Sequence, residues 1–230
     1  MSEPAPGRYG RRHPRPGLTP ASVVAAGRRV IERDGLDALS MRAVATELGT
    51  AATSLYRHVA DRDALLLAIL EQIAAGLPVD VPGRTPRHRL RRRFVGAHDY
   101  MADHVWVLHV LIRGELVAET AFAFADACLA DLLTAGLRPP AAMAAFRACW
   151  HLTIGELLDE HPLHPPHEPT QRQQALDRID PRRLPALAKV VAHTTGRRRA
   201  AHEYARAVDA LLSALLSNTA GARQRMTGQP

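Results

Sequence analysis

Apolar residues recur every three or four positions along most of this chain, which is the period of a helix that buries one face. In the first third of the chain they form short runs that begin at Val23, Met41 and Leu65. Only 4% of the residues are aromatic, so the core has to be built mainly from Ala, Leu and Val. That composition suits packed helices. We therefore expect an all-α protein.

Residues that start and stop helices divide the first of these runs. Thr19-Pro20 places an N-cap before a proline at the first helical position, and Asp34-Gly35 ends that helix. Ser40 precedes the next run and is predicted to cap it with its side-chain oxygen. Gly49 follows that run as a residue that tolerates a left-handed backbone. The pattern predicts two short helices that both end at glycine.

A third short helix is predicted directly after Gly49. Thr50 is expected to cap it, Leu55 and Val59 to face inward, and Asp61 to cap the helix that follows. Two helices joined by a tight turn are typical of a helix-turn-helix, in which the second helix enters the DNA major groove.

The run from Thr19 to Leu67 closely resembles the TetR (tetracycline-repressor-like) family of transcriptional regulators. Its core, L-G-x(4)-S-L-Y-x-H-V over residues 48–59, is far more specific than a generic helix-turn-helix, and the run covers about a fifth of the chain. The matching residues are Thr19, Gly35, Leu39, Ser40, Met41, Arg42, Val44, Ala45, Leu48, Gly49, Ser54, Leu55, Tyr56, His58, Val59 and Leu65-Leu66. Beyond residue 80 only the helical character and the length match.

The resemblance implies three parts: a basic arm over residues 1–18, an N-terminal three-helix helix-turn-helix DNA-binding domain over 19–66, and a C-terminal helical effector-binding and dimerisation domain over 67–230. The DNA-contacting residues it implies are Ser40, Arg42, Thr50, Ala52, Thr53, Ser54, Tyr56, Arg57, His58 and Arg62. Arg42 corresponds to a residue that approaches a base edge. Arg57 stands at a variable position, and Arg62 stands where the family usually has a phosphate-contacting Lys.

Simpler roles stand beside these assignments. Ser40 can serve only as a cap, Tyr56 and His58 can pack on their own domain, and Arg42 can be a solvated surface residue. The formal net charge is +7, and nearly all of the positive charge is Arg. Part of it lies in the N-terminal arm, at Arg8, Arg11, Arg12 and Arg15. That arm is either a further contact to the minor groove or phosphates, or a solvated tail.

The second part of the chain is predicted to hold several longer helices. Glu115 to Ala135 reads as one of them, and Pro139-Pro140 opens another that runs to about His161. The last helix is expected from about Arg197 to Ser217. The apolar faces of the last two long helices are wide enough to need a partner surface. The resemblance implies that they pair with the same helices of a second subunit, which gives a homodimer that reads a palindromic operator.

The resemblance also implies a pocket for a small-molecule effector in the second domain. The candidate lining residues are Trp106, His109, Phe122, Trp150 and His151, each of which can instead be ordinary core packing. An apolar, partly aromatic effector is expected. Glu115 and Glu156 could instead recognise a cationic ligand, or they are surface carboxylates.

Other chemistry is weakly supported. His161, His164 and His167 have a spacing that could surround Zn²⁺, but their Pro-rich loop favours a surface segment, so we assign no metal and no cofactor. Cys128 and Cys149 lie in apolar helical patterns and are expected to be buried thiols. No apolar run is long enough to span a membrane, so we expect a cytoplasmic protein.

No catalytic motif is present in the sequence, and an enzyme is not expected. The regulator is expected to be a repressor that its effector releases from DNA. The alternative is a helical small-molecule sensor or carrier that does not read DNA.

Overall fold

The computed structural model describes residues 18–114, 116–160, 170–194 and 203–227. Within these ranges the chain forms eleven α-helices and one short 3-10 turn, and no strand. The all-α prediction is confirmed. The helices are α1 (Pro20–Asp34), α2 (Met41–Leu48), α3 (Ala52–Leu55), α4 (Arg62–Ala74), α5 (Pro86–Ala102), α6 (Trp106–Arg113), α7 (Ala121–Thr134), α8 (Pro139–Glu160), α9 (Gln171–Asp177), α10 (Pro185–Thr194) and α11 (Glu203–Thr227), and the 3-10 turn is Leu36–Ala38.

The local signals that start the first helices act as predicted. Thr19 Oγ1 accepts a hydrogen bond from the backbone N–H of Ser22 at 3.1 Å, and Ser22 Oγ accepts one from Thr19 N at 2.9 Å. Ser40 Oγ accepts from the N–H of Ala43 at 3.1 Å, and Asp61 Oδ1 accepts from that of Ala64 at 2.8 Å. Each oxygen satisfies a backbone donor that has no partner inside its helix.

The third helix is shorter than predicted. Gly49 has the expected left-handed backbone, with φ 62° and ψ 37°. The following N-cap is Ala51 rather than Thr50, and no side chain caps the helix. The helix ends at Leu55, after which the N–H of His58 donates to the Leu55 carbonyl at 2.8 Å in a tighter turn. The predicted cap was therefore wrong by one residue, and half of the predicted helix is turn.

The first compact unit ends at Ile69, inside α4, whereas the sequence placed the domain boundary after Leu66. Its core contains Val30, Val44 and Leu55, which have no exposed surface. A Cβ atom at Gly27 would lie 2.9 Å from Ile69 Cδ1. Glycine at this position therefore lets α1 approach α4 closely. α1 also packs against α2, which in turn contacts α3.

The second compact unit begins at Leu70. In it α5 packs against α7, α8 and α11, and α8 packs against α7 and α11. Phe94, Leu132, Leu157 and Leu212 fill the centre and are fully buried. The four helices are held by an apolar core of the kind that the sequence pattern predicted.

Several boundaries in the second unit differ from the prediction. α7 begins at Ala121 and not near Glu115, which itself lies outside the described residues, because Gly114 ends α6 with φ 71° and residues 116–118 are not helical. α11 is described from Glu203 and extends beyond Ser217, the predicted end. The sequence pattern also missed α9 and α10, both short and largely exposed, because they contribute little to the apolar core.

No helix in the described part of the chain is both long and apolar enough to cross a membrane. The predicted basic arm, with Arg8, Arg11, Arg12 and Arg15, lies outside the described residues except for Leu18. The histidine loop with His161, His164 and His167 also lies outside them.

Candidate nucleic-acid interface and effector cavity

The exposed face of α2 and α3 carries polar side chains, while the opposite face is buried in the core of the unit. Leu55 anchors α3 in the core and has no exposed surface, while its neighbours Thr53, Tyr56 and Arg57 are exposed. Arg42 is exposed in the first turn of α2. One short segment thus presents a hydroxyl, a phenol and two guanidinium groups to the solvent. These are the groups that DNA-binding helices use on phosphates and base edges.

The carboxylate of α2, Glu47, is paired with arginines of α1 and does not compensate the positive charge of that face. Glu47 of α2 accepts hydrogen bonds from Arg29 Nε and Arg33 Nη1, both at 2.8 Å. These two bonds, the one from Arg29 first, lower the pKa of Glu47. Arg42 and Arg57 make no ion pair or side-chain hydrogen bond with any other residue that the structure describes. Two arginines are therefore free to meet an anionic partner such as DNA phosphate.

An apolar cavity of about 70 Å³ lies inside the second unit. Its lining comes from the end of α4, from α5, α6 and α8, and from the segment that leads into α7. The lining residues are Leu70, Ile73, Ala74, Leu77, Met101, Val107, Leu111, Val117, Ala118, Ala121 and Trp150. With no charged side chain in this lining, the cavity suits a neutral apolar molecule, because an ion would lose its hydration without a compensating partner.

One carboxylate joins two sides of this cavity. Glu71 of α4 accepts hydrogen bonds from the backbone N–H groups of Glu119, at 2.7 Å, and Thr120, at 3.0 Å. We call these two hydrogen bonds the Glu71 clamp. They satisfy donors at the start of α7, where Thr120 is the N-cap but its side chain does not cap the helix. Hydrogen bonding from the Thr120 side chain and from both amides lowers the pKa of Glu71, against the opposing effect of partial burial.

The comparison with known proteins decides the family. Residues 23–69 match the bacterial regulatory proteins of the tetR family, and residues 82–217 match the tetracyclin repressor-like C-terminal domain. Together these matches cover more than half of the chain. The chain belongs to the tetR family.

Two curated relatives have names that agree with this family. An HTH-type transcriptional regulator of Saccharopolyspora erythraea is 30% identical over 148 residues, which are 64% of this chain and 62% of that protein. The HTH-type transcriptional repressor DrrR1 of Streptomyces coeruleorubidus is 31% identical over 141 residues, 60% of this chain and 52% of that protein. The chain thus aligns with less than two thirds of the length of either relative.

A solved structure extends the likeness over nearly the whole fold. The TetR family protein ActR of Streptomyces coelicolor, crystallised with actinorhodin, superposes with a TM-score of 0.73 over 89% of this chain and 99% of that one. The two sequences are 20% identical. At that identity the likeness supports a shared tetR-family fold.

The remaining predicted DNA-contacting residues of this tetR-family chain lie close to the exposed face. Ser40 uses its Oγ atom as the cap of α2. The other four are only partly exposed, because they stand next to the turn or at the edge of the core: Thr50, Ala52, Ser54 and His58. Their contacts with DNA stay predictions.

Arg62 has partners within its own unit. Its Nε atom donates to the carbonyl of Leu39 at 2.9 Å, and Nη2 lies 3.5 Å from the carbonyl of Leu36. Nη1 lies 3.3 Å from Asp63 Oδ1. The guanidinium group therefore ties the start of α4 to the turn that precedes α2. The sequence suggested a phosphate contact and gave no sign of this second role.

Of the five predicted effector-lining residues, the structure places Trp150 in the cavity. Trp106 is buried and directly precedes the lining residue Val107 in the sequence. Its Nε1 atom has no hydrogen-bond partner among the described residues. His109 is half-buried, whereas His151 and Phe122 are exposed, the latter by 60%. Sequence reasoning missed most of the lining, because small and aliphatic residues of α4 and of residues 117–121 give no chemical signal.

The polar groups of the second unit form two further clusters. Asp131 of α7 is buried and accepts hydrogen bonds from Arg93 and from Arg89, whose Nε atom lies 2.8 Å from Oδ1. On the other side of α5, His98 stacks on Tyr204, with ring centroids 4.1 Å apart. His98 also contacts Glu156, the carboxylate that sequence reasoning considered for a cationic ligand. Both clusters join helices within the unit.

The described part of the chain holds no group of three residues that could bind a metal ion. Cys128 and Cys149 are free, buried thiols, as the sequence predicted. Burial raises the pKa of each to about 12. Such thiols remain protonated near neutral pH.

Proposed function

We propose that this chain is a ligand-responsive transcriptional regulator, a repressor that binds a palindromic DNA operator as a homodimer and releases it when an effector occupies the cavity. The observation that carries the proposal is the pair of unpartnered arginines, Arg42 and Arg57, on the exposed face of α2 and α3 of a tetR-family chain. It acts by binding rather than by catalysis, in the cytoplasm, where its DNA lies.

The proposal of a homodimer is supported by the small size of the DNA-binding surface. A helix-turn-helix whose second helix has one turn contacts few base pairs, so useful specificity requires two copies about 34–36 Å apart. The outward faces of α8 and α11 are proposed to pair with those of a second subunit. Their exposed positions include the small residues Ala144, Gly155, Ala210 and Ala214, which let helices approach closely.

The effector is proposed to be neutral, apolar and partly aromatic. ActR, which shares the fold, is described in complex with actinorhodin. A pocket for a ligand of ordinary drug size encloses roughly 300–1,000 Å³. The cavity of about 70 Å³ therefore has to widen before it holds such a molecule.

The test starts with a randomised duplex pool, from which the 230-residue chain selects its preferred site. We expect a palindromic site, and a dimer by light scattering at micromolar concentration. Arg57→Ala should change the selected sequence, while the exposed Arg138→Ala variant of the second unit should select the same one. Selection of no sequence above the starting pool contradicts DNA readout and leaves the sensor or carrier alternative.

A further inference from the structure

The cavity can widen only where its walls can separate. The end of α4 contributes Leu70, Ile73 and Ala74 to its lining, and the segment leading into α7 contributes Ala118 and Ala121. Val117, at the same edge, is 52% exposed, so this edge lies next to solvent. It is therefore the natural edge for an apolar molecule to enter.

The Glu71 clamp crosses that same edge. Glu71 lies between the lining residues of α4, and its two partners, Glu119 and Thr120, lie between the lining residues Ala118 and Ala121. Separating these two segments lengthens both hydrogen bonds, so widening the cavity at this edge breaks the clamp. Hydrogen bonds to a charged group are stronger than those between neutral groups, and both amides also lose their acceptor.

α4 connects this edge to the helix-turn-helix. The helix runs without a break from Arg62 to Ala74, and the boundary between the two units falls inside it. At its start Arg62 donates to the carbonyls of Leu39 and Leu36, directly before α2. α4 is therefore the stretch of chain that the two units share.

We propose that Glu71 is a positioning residue that holds the empty cavity closed, and that an effector binds only by breaking its hydrogen bonds to Glu119 and Thr120. This inference rests on the proposed function, which supplies the effector and the DNA response. The closed form, with the clamp intact, is the form that binds DNA. Breaking the clamp frees the end of α4 and lowers DNA affinity.

The inference predicts an increase in ligand affinity on removal of a native contact. The Glu71→Ala variant lacks both hydrogen bonds of the clamp. A ligand that opens its cavity therefore has no hydrogen bond of the clamp to break. The neutral apolar fluorophore N-phenyl-1-naphthylamine serves as the probe. It should bind the Glu71→Ala variant of this chain at least roughly tenfold more tightly than the wild type, because one hydrogen bond to a charged group already accounts for about that factor and the clamp has two.

Linkage fixes the expected DNA response. If the open form binds DNA less well, Glu71→Ala lowers the affinity for the selected duplex without probe, and added probe lowers it less than in the wild type. Glu71→Gln keeps the length and one acceptor oxygen, so it should lie between the two. Gln72→Ala is the matched control, because Gln72 is the exposed neighbour on α4 and does not line the cavity.

Two measurements separate the possible failures. Ala121→Trp fills the edge of the cavity and should remove probe binding, which shows that the signal comes from this cavity. If Glu71→Ala binds the probe as weakly as the wild type or more weakly, while remaining folded by circular dichroism, the inference is overturned. If the probe binds the wild-type cavity but leaves DNA affinity unchanged, the proposed effector response fails, while tighter probe binding by Glu71→Ala still supports the clamp.

Discussion

The two candidate sites of this protein are built in opposite ways. The helix-turn-helix surface comes from one contiguous segment, residues 40–62, and exposes polar groups above a few buried side chains. The cavity takes apolar residues from α4, α5, α6, α8 and the start of α7, and hides them. A surface that meets DNA depends on what side chains offer to solvent, whereas a cavity depends on how distant helices pack. Substitutions should therefore separate recognition from stability in the first unit and couple them in the second.

The largest expected effect tests the buried side of this comparison. Asp131→Asn removes the charge that compensates Arg93, which is itself buried, and Arg89. Breaking a buried ion pair on one side typically costs about 3–5 kcal/mol, because the remaining charge stays buried without compensation. We expect a loss of unfolding free energy of that size in urea titration.

A matched variant exists on the same helix. Asp126 is exposed on α7, and Asp126→Asn should change the unfolding free energy by less than about 0.5 kcal/mol. Equal stability of the Asp131 and Asp126 variants would contradict the role given to the cluster.

The next effect tests the exposed side. Arg42→Ala should weaken binding to the selected duplex by about 1–3 kcal/mol and relax preference at one base pair. Because the Arg42 side chain has no partner among the described residues, the unfolding free energy of the variant should stay within about 0.5 kcal/mol of the wild-type value. Fluorescence anisotropy with matched and mismatched duplexes measures the DNA affinity and the base preference, and urea titration measures the unfolding free energy. An unchanged discrimination ratio would remove Arg42 from base readout.

Arg62 lies between the two extremes, since it is tied to two carbonyls and still partly exposed. A phosphate contact predicts that Arg62→Ala weakens all duplexes similarly and lowers the salt slope by about one. A purely structural tie predicts instead a loss of about 1 kcal/mol of stability with the salt slope unchanged. The Arg62→Lys variant distinguishes the phosphate contact from the structural tie. Lysine keeps the positive charge but lacks the planar guanidinium group that donates to both carbonyls.

The smallest effect concerns pH. The pKa of Glu71 is lowered in the folded protein from its ordinary value of 4.5, so its ionised form stabilises the fold. That contribution is complete above about pH 4.5 and is lost as the pH falls through the lower, folded value. Wild type should therefore exceed Glu71→Gln in stability at pH 7, and the gap should close below pH 4.5. A gap that widens on acidification would contradict the sign of the shift.

Sequence patterns predicted those features that depend on near neighbours. Ser40, Gly49 and Asp61 each act on backbone atoms within a few positions, so the types of residue and their spacing suffice. α3 was placed one residue too early and too long, because helix length depends on the turn that follows. The family itself could be recognised from one run of residues near α3.

The cavity could not be predicted in the same way. Leu77, Val117 and Trp150 line one cavity although they lie far apart in the sequence, and an aliphatic side chain looks the same in a core and in a pocket wall. Bulky residues were a poor guide, since Phe122 is exposed. Glu71 offered one hint, as a carboxylate directly after an apolar run in α4, but its partners are backbone amides that no side-chain pattern marks.

The two buried thiols have a practical consequence. Because Cys128 and Cys149 remain protonated and shielded from solvent at neutral pH, maleimide reagents should leave them unmodified. A single cysteine introduced at exposed Arg57 would then be the preferred target for a spin label. If two subunits pair symmetrically, that label would report the separation of the turns that follow the two α3 helices, with and without a bound small molecule.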